Sequence, residues 1–282
     1  MVKLNVFVYG TCQSGAVIRF LQCNDSFTSR FKISEAVLSY MMISESINFA
    51  DDPKYLSLLN SADVFFYQPV RDSYGKNATD YLKTLLNKDC LTISMPYIYN
   101  SCTWPLAPAL KRDFTDEWIK GIGEQLVLIN KESIDILIDK GMSAMEILSM
   151  YDNGTLDFCF EDRLKTAFDI TREKEVGLDI KVGKFIEENI RKKRLFLYCS
   201  HPTSHVFIHA ANQLLDILEC AHLSTDFPLD YCEISTCGMP LPYPQASGDY
   251  FNFEFSNEGD IASSNRFFRN LIIGHLNAKN IK

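Results

Sequence analysis

Residues 6–15 read VFVYGTCQSG, and this stretch decides the fold of the amino-terminal part of the chain. Its apolar first half predicts a short buried strand, which runs directly into a loop flanked by Gly10 and Gly15. An apolar helix face follows, formed by Ala16, Val17, Phe20 and Leu21. A strand, a tight loop and a helix N-terminus together hold a reactive side chain at the carboxyl edge of an α/β sheet. The pattern therefore points to Cys12 as that side chain.

A second stretch of the same form begins at Leu195. Residues 195–199 (LFLYC) predict a strand, and residues 200–205 (SHPTSH) are expected to open a long helix. If the strand returns the chain to a sheet shared with the first one, Cys12 and either His201 or His205 converge at one edge. This would supply the components of a thiol–imidazole site.

The first hundred residues alternate strand and helix patterns, which is typical of a parallel sheet covered by helices. The predicted strands after the first are 31–40, 63–67 and 90–94, and the predicted helices are a short one starting at Pro53 and an amphipathic one over 77–86. The fold class is therefore predicted as α/β, with a parallel sheet flanked by helices.

The middle of the chain changes character, with helical spacing and few strand signals. Helices are predicted over 133–140, 143–151, 161–175 and 182–193, and a final helix over 262–276. Residues 225–259 are rich in Pro, Gly, Tyr and Phe without periodicity, which predicts an irregular aromatic region. We accordingly divide the chain into an α/β part with the cysteine motif (1–114), a helical insertion (115–194), and a returning strand with the histidine motif, long helix and C-terminal loops (195–282).

Composition limits the class of function. The net charge of -8 argues against an extended nucleic-acid or anionic-membrane surface. No stretch approaches the roughly 18 apolar residues of a membrane-spanning helix. The nine cysteines form no CxxC pair and no regular spacing, which indicates reduced thiols. We expect a cytoplasmic protein that binds no nucleic acid and inserts into no membrane.

Cys12 has a functional and a packing interpretation. The positive end of the following helix and the N–H groups of its loop are expected to lower the pKa of its thiol. A small residue filling a tight turn is the alternative, but a cysteine between such neighbours is uncommon as packing. Gln13 and Gln68 are neutral amides at strand ends, suited to donating hydrogen bonds to a carbonyl or oxyanion. Gln68 precedes a proline, so an amide that satisfies local backbone is an equal alternative.

His201, His205 and His209 are spaced four apart, which on one continuous helix would allow a zinc site. Pro202 suits the first helical position, however, and would leave His201 at the cap outside the regular helix. We therefore expect no metal, and a general acid/base role for His201 or His205, with a structural role as the alternative. Arg71 lies just beyond a predicted strand, and Arg172 lies late in a middle helix; either suits an anionic ligand.

These elements resemble the WcbI-like polysaccharide-biosynthesis family. The matching residues are Gly10-Thr11-Cys12-Gln13 (G-N-C-Q in most of the family), Gln68 after its strand, Met95-Pro96 with the aromatics that follow, Arg172-Glu173, and Ser200-His201-Pro202. The likeness extends to about residue 222. The chain is also distantly similar to SGNH-type hydrolases, with Cys12 standing where those enzymes carry serine.

The resemblance implies a protein that binds coenzyme A or acetyl-CoA as co-substrate and acetylates a sugar or nucleotide-sugar hydroxyl in capsule or surface-polysaccharide biosynthesis. The catalytic candidates are Cys12, Gln13, His201 and His205; the binding candidates are Gly10, Thr11, Ser14, Gln68, Arg71 and Arg172. Two other functions stay open: an SGNH-like esterase or deacetylase acting on an acylated sugar, and a non-catalytic coenzyme A or nucleotide-sugar binding module.

Overall fold

The computed structural model describes residues 2–45, 47–48, 51–110, 126–128, 130–224, 242–255 and 261–281. The amino-terminal elements are β1 (Leu4–Gly10), α1 (Cys12–Gln22), α2 (Asp25–Arg30), β2 (Phe31–Leu38), α3 (Ser39–Ser44), α4 (Pro53–Asn60), β3 (Val64–Tyr67), a 3₁₀ helix (Asp72–Asn77), α5 (Thr79–Lys83) and β4 (Leu91–Ser94). The alternation of strand and helix expected for an α/β fold is confirmed.

The four strands form one parallel sheet in the order β2-β1-β3-β4. After β1 the chain adds β2 on one side, and it then crosses to add β3 on the other side. The carboxyl ends of β1 and β3 thus flank the point where the strand order reverses, which is where α/β sheets usually bind their ligands. Cys12 follows β1 and Gln68 follows β3, so both lie at this point.

The two central strands of the sheet, β1 and β3, are buried on both faces. Val6, Phe7, Val8 and Tyr9 of β1 are each at most 1 % exposed, although successive side chains of a strand point to opposite faces. Such a continuous apolar run is what a strand covered by helices on both sides requires. The sheet therefore provides a rigid base for the loops at its edge.

The helix predicted over 77–86 is shorter than expected. Only α5 lies within this range, and the 3₁₀ helix before it ends at Asn77; Ala78, whose backbone is extended, separates the two. Asn77 is held outside α5 because its side chain donates to the carbonyl of Ile47 and its own carbonyl accepts from the Tyr9 hydroxyl. These long-range bonds override the local helical spacing.

The middle of the chain is mostly helical, as predicted. The helices are α6 (Glu132–Asp139), α7 (Ala144–Asp152), α8 (Phe160–Lys174) and α9 (Gly183–Asn189), and an antiparallel pair of short strands precedes them, β5 (Pro108–Leu110) and β6 (Leu126–Leu128). The later elements are β7 (Phe196–Tyr198), β8 (His201–Pro202), α10 (Ser204–Ile217), α11 (Gln245–Phe251) and α12 (Ile261–Ala278). Much of the predicted aromatic region, residues 225–241 and 256–259, lies outside the described residues.

Two expectations for the segment after Leu195 are wrong. The strand over 196–198 does not join the four-stranded sheet; it pairs antiparallel with His201–Pro202 in a separate two-stranded ribbon. The long helix begins at Ser204, with Thr203 as its N-cap residue, so Pro202 is not its first residue and His201 is not its cap. Tyr198 pairs with His201 across a two-residue turn, which gives these residues a partner close in sequence.

The chain forms two compact units, neither of them continuous in sequence. The first comprises Met1–Tyr99, Asp169–Ile190 and Leu195–Met239; the second comprises Asn100–Phe168, Arg191–Arg194 and Pro240–Lys282. The division into 1–114, 115–194 and 195–282 stays a prediction about the organisation of the chain. In the part of the chain that the structure describes, no helix is both long and apolar enough to cross a membrane.

Candidate active site

The loop after β1 places Cys12 at the start of α1. Thr11 is the N-cap residue of this helix, and its hydroxyl accepts a hydrogen bond from the Gln13 N–H at 3.3 Å. Cys12 is therefore the first helical residue, at the positive end of the helix dipole. Ser14 is buried, and its hydroxyl donates to the Thr11 carbonyl at 2.7 Å. The Ser14 hydroxyl is thus used within the loop itself, whereas the Thr11 hydroxyl also donates to Gln68.

Gly10 allows the loop to pass close to the next strand. A Cβ atom at this position would lie 2.7 Å from the Ser14 Oγ and 2.9 Å from the Gln68 Oε1, closer than real Cβ contacts. The requirement for glycine is therefore one of space, since Gln68 must approach the backbone of this loop.

Gln68 connects the end of β3 to the Cys12 loop. Its Oε1 accepts hydrogen bonds from the backbone N–H and the hydroxyl of Thr11, at 2.8 and 2.7 Å. Its Nε2 donates to the Gln13 Oε1 at 3.2 Å and to the Pro96 carbonyl at 3.0 Å. Both amide hydrogens are in use, so Gln68 fixes the loop rather than offering a donor to a ligand.

Gln13 extends this network to the histidine motif. Its Nε2 donates to the carbonyl oxygens of Ile98 and Ser200, at 2.7 and 2.8 Å, and its Oε1 accepts from the Ile98 N–H at 2.9 Å. A side-chain amide has only two N–H donors, and both are used here. We expected Gln13 or Gln68 to donate to the carbonyl or oxyanion of a ligand. In this structure their amides donate to protein acceptors instead, mainly buried backbone carbonyls, which for Gln68 is the alternative stated above.

Cys12 and His201 line the same narrow crevice. Its walls also include Gln13, Ser200, Pro202 and Phe207, and it is too narrow to hold a water molecule. The ribbon of β7 and β8 positions His201 here, and Phe207 comes from the second turn of α10. The structure thus brings the predicted thiol and imidazole together, although by a ribbon instead of a strand of the main sheet.

The imidazole of His201 is half-buried, and burial lowers its pKa below the ordinary 6.5. Its Nδ1 lies 3.3 Å from the Ser200 hydroxyl. The ring is therefore neutral at neutral pH, which is the form that accepts a proton. His205 lies in the first turn of α10 but does not line the crevice.

The three histidines do not form one face of a helix. His201 belongs to β8, and the ring of His209 stacks on Phe185 with 4.3 Å between centroids. In the described ranges no group of three or more His, Cys, Asp or Glu side chains is arranged to hold a metal ion. The ring of His209 is held by packing against Phe185, and its burial lowers its pKa.

The thiol of Cys12 is less acidic than its position at a helix start led us to expect. Burial raises its pKa above the ordinary 9.0, and the N–H groups of Cys12 and Gln13 offset this effect only in part. The predicted lowering of the pKa is therefore wrong, because removal of water from the thiolate outweighs the helix end. The free protein holds Cys12 as a thiol that needs a base.

Three tyrosines near the crevice were not among the candidates. Tyr40 follows β2, and Tyr97 and Tyr99 follow β4; their exposed fractions are 49, 42 and 37 %. Tyr97 hydrogen-bonds to Ser200, and burial raises the pKa of its hydroxyl, with the charge of Cys12 adding to the shift. The sequence signal for Tyr97 and Tyr99 was the aromatic run after Met95-Pro96 at a strand end.

The two arginine candidates lie outside the crevice walls. Arg71 is exposed between β3 and the 3₁₀ helix. Arg172 donates to both carboxylate oxygens of Glu187, at 3.0 and 2.8 Å, and to Asp169 at 2.9 Å. These carboxylates raise the pKa of Arg172 and occupy its donors, so the predicted role in ligand binding lacks a free guanidinium in this structure.

The fold and the crevice define an α/β protein with a thiol and an imidazole beside the edge of a parallel sheet. The family described as "Polysaccharide biosynthesis enzyme WcbI" matches residues 5–223, well over half of the chain. The chain belongs to this family of polysaccharide biosynthesis enzymes, which confirms the resemblance drawn from the motifs.

A solved structure supports the same fold. It is described as "Structural insights into WcbI, a novel polysaccharide biosynthesis enzyme", in a native form without a disulfide bond between coenzyme A and a cysteine of that protein. The two chains are 18% identical, with a TM-score of 0.68 over 98% of this chain and 94% of that one. No curated protein gives a significant match.

Proposed function

We propose that the protein is a cytoplasmic acyltransferase that moves an acetyl group from acetyl-CoA to a hydroxyl of a sugar or nucleotide-sugar in surface-polysaccharide biosynthesis. The observation that carries the proposal is the shared crevice of Cys12 and His201. A thiol and a neutral imidazole are the pair that acyl transfer through a covalent thioester requires.

The first half-reaction uses His201 as the base. The neutral imidazole takes the proton of Cys12 while the sulfur attacks the thioester carbonyl of acetyl-CoA. The carbon–sulfur bond to coenzyme A then breaks, and the departing thiolate takes the proton back from His201. One thioester replaces another, so this exchange has little thermodynamic cost.

The second half-reaction passes the acetyl group to the sugar. The acceptor hydroxyl loses its proton to His201 as its oxygen attacks the acetyl-Cys12 carbonyl. The bond to Cys12 sulfur breaks, and the thiolate recovers the proton from the imidazole. A base whose pKa is held below 6.5 is unprotonated at neutral pH and so is ready for each step.

The backbone at the start of α1 supplies a donor for the charge that develops on the carbonyl oxygen. The N–H groups of Cys12 and Gln13 lie close enough to the sulfur to lower the pKa of the thiol. Because the side-chain amides of Gln13 and Gln68 are committed to other acceptors, and the Gln13 N–H is bonded to the Thr11 hydroxyl, we assign oxyanion stabilisation to the Cys12 N–H.

Coenzyme A fits the site by chemistry. In the similar solved structure the description refers to a disulfide between coenzyme A and a cysteine of that protein. A cysteine that can pair with the thiol of coenzyme A must lie where the acyl group of acetyl-CoA would be presented. We assign this position to Cys12, with exposed Arg71 as a candidate for the phosphates.

An isotope exchange that needs no acceptor sugar tests the function. The protein is incubated with acetyl-CoA and tritium-labelled coenzyme A, and label entering acetyl-CoA is measured. Exchange is expected for the wild type, is expected to vanish in Cys12→Ala, and is expected to persist in Cys23→Ala, whose cysteine is exposed at the opposite, carboxyl end of α1. Binding of coenzyme A without exchange would overturn the acetyl-cysteine route, and absence of turnover on any acceptor sugar would then identify a binding module instead of direct transfer. Acetate release without exchange would identify a hydrolase.

A further inference from the structure

The second compact unit contains a large cavity of its own. Its volume is about 690 Å³, within the range of sites that hold small ligands. Four elements converge on it: the end of α7, the start of α8, α11 and α12. None of its lining residues belongs to the crevice of Cys12 and His201.

An aromatic platform forms one wall. The rings of Phe160 and Tyr250 are stacked, with centroids 4.8 Å apart and an angle of 21° between their planes. Phe160 is buried at 8 % exposure, whereas Tyr250 is 39 % exposed. The Tyr250 ring thus stacks on Phe160 and meets the Phe251 ring nearly at right angles, with 5.1 Å between centroids, and its exposed part lines the cavity as an apolar surface.

Polar groups surround this platform and are already oriented. The Gln245 amide donates to the Oδ1 of Asp249 at 2.7 Å, and Asp249 directly precedes Tyr250. The Arg269 Nε lies 2.8 and 3.1 Å from the two carboxylate oxygens of Asp152. Holding carboxylate and guanidinium groups in place reduces the entropy lost when a ligand binds.

The charge of the cavity disfavours an anion. Its lining has three carboxylates (Asp152, Asp157, Asp249) and two guanidinium groups (Arg266, Arg269), which leaves one excess negative charge. One of the two arginines is paired with Asp152. A phosphate or nucleotide would meet more negative than positive groups, whereas a neutral polyol can both donate to carboxylates and accept from guanidinium groups.

We propose that this cavity binds a neutral carbohydrate. The C–H face of a pyranose ring would lie against the exposed part of the Tyr250 ring, and its hydroxyls would bond to Asp249, Asn265 and Arg269. A sugar ring presents an apolar C–H face and polar hydroxyls. The Tyr250 ring matches the first, and the paired polar side chains of the cavity match the second. The proposal adds a carbohydrate site to the protein and holds whether or not Cys12 transfers an acyl group.

A glycan array carrying neutral, carboxylated and phosphorylated oligosaccharides tests the inference on the intact protein. Neutral glycans are expected to bind, and calorimetry on the best of them is expected to show about tenfold weaker binding for Tyr250→Ala, equivalent to about 1.4 kcal/mol, because the ring on which the sugar stacks is lost. Tyr250→Phe should retain binding, because it keeps the ring. Tyr81→Ala is the matched control, with a similar exposed fraction of 36 % in the first unit.

Three results would overturn the proposal: no neutral glycan bound, binding unaffected by Tyr250→Ala, or weaker coenzyme A binding in that variant, which would make the cavity a nucleotide site. Label exchange between coenzyme A and acetyl-CoA is measured on the same variants. Because Tyr250 lies outside the crevice, exchange by Tyr250→Ala should be normal, and this result separates a failed carbohydrate site from a failed acyltransferase. Circular dichroism establishes that the variant is folded.

Discussion

The side-chain amide of Gln13 donates a hydrogen bond of 2.8 Å to the carbonyl oxygen of Ser200. This bond joins residues 187 positions apart in the chain. Gln13 follows Cys12 directly, and Ser200 precedes His201, so the bond ties the loop of the thiol to the ribbon of the imidazole. The position of the proposed base relative to the proposed nucleophile therefore depends on one buried amide.

Replacing that amide by a carboxylate should uncouple the two motifs. In Gln13→Glu, a group that cannot donate when ionised faces the carbonyls of Ile98 and Ser200. We expect a loss of about 1–3 kcal/mol in the free energy of unfolding, the cost of unsatisfied buried acceptors. Denaturant unfolding measures it. In Gln213→Glu, the matched control, the amide that donates to the Lys181 carbonyl is partly exposed, so a smaller loss is expected. Equal losses would contradict the role given to Gln13.

Gly10 should tolerate no side chain. The Cβ of Gly10→Ala would overlap the Ser14 and Gln68 side chains, so the loop must shift, at a cost of about 1–3 kcal/mol in stability. Gly15→Ala is the control within the same motif, because a Cβ there has nothing within 4 Å and the residue is helical. It should stabilise the protein by about 0.5–1 kcal/mol. Thermal melting of both variants decides the point, and equal effects would show that Gly10 is not a close-approach position.

The pKa of His201 should be measurably below 6.5, because burial disfavours its charged form. A folded-state pKa below the unfolded one means that the unfolded chain binds more protons in the window between them. The stability that this group contributes is therefore full above about pH 6.5 and is lost as the pH falls through that window. Histidine NMR titration, assigned with His201→Gln, measures the pKa. A value above 6.5 would require a charged partner that the described structure does not show.

Cys12 should not be the fastest cysteine to alkylate. Its raised pKa leaves little thiolate near neutral pH, whereas Cys23 and Cys159 are exposed. With limiting iodoacetamide at pH 7.5, peptide mapping is expected to find Cys23 and Cys159 modified before Cys12. Faster modification of Cys12 would show that the helix start outweighs burial after all.

Local patterns predicted the main sheet well, because its central strands are apolar on both faces and its strands alternate with helices along the chain. Cys12 was predicted from the strand–loop–helix pattern, and the structure places it where strand order reverses. These features are determined by residues that are close in sequence, so local patterns can predict them.

The remaining features depend on long-range partners. Residues 196–198 have the composition of a sheet strand, but composition does not specify which strand they pair with. Pro202 would suit the first turn of a helix equally well, but it lies in β8, which pairs with β7. Likewise the pairing of Arg172 with Glu187, and the donors that Gln13 directs to Ile98 and Ser200, join segments whose proximity only the folded chain establishes.

The most direct measurement of the central claim is the acetyl group on Cys12 itself. The protein is mixed with isotopically labelled acetyl-CoA, quenched in acid and mapped by peptide mass spectrometry. The account predicts label on the Cys12 peptide, its removal by added coenzyme A, and acetylation slowed roughly 10²–10⁴-fold in His201→Ala but little changed in His205→Ala, which lies outside the crevice. Absence of label from Cys12, or an unchanged rate in a folded His201→Ala protein, would contradict it.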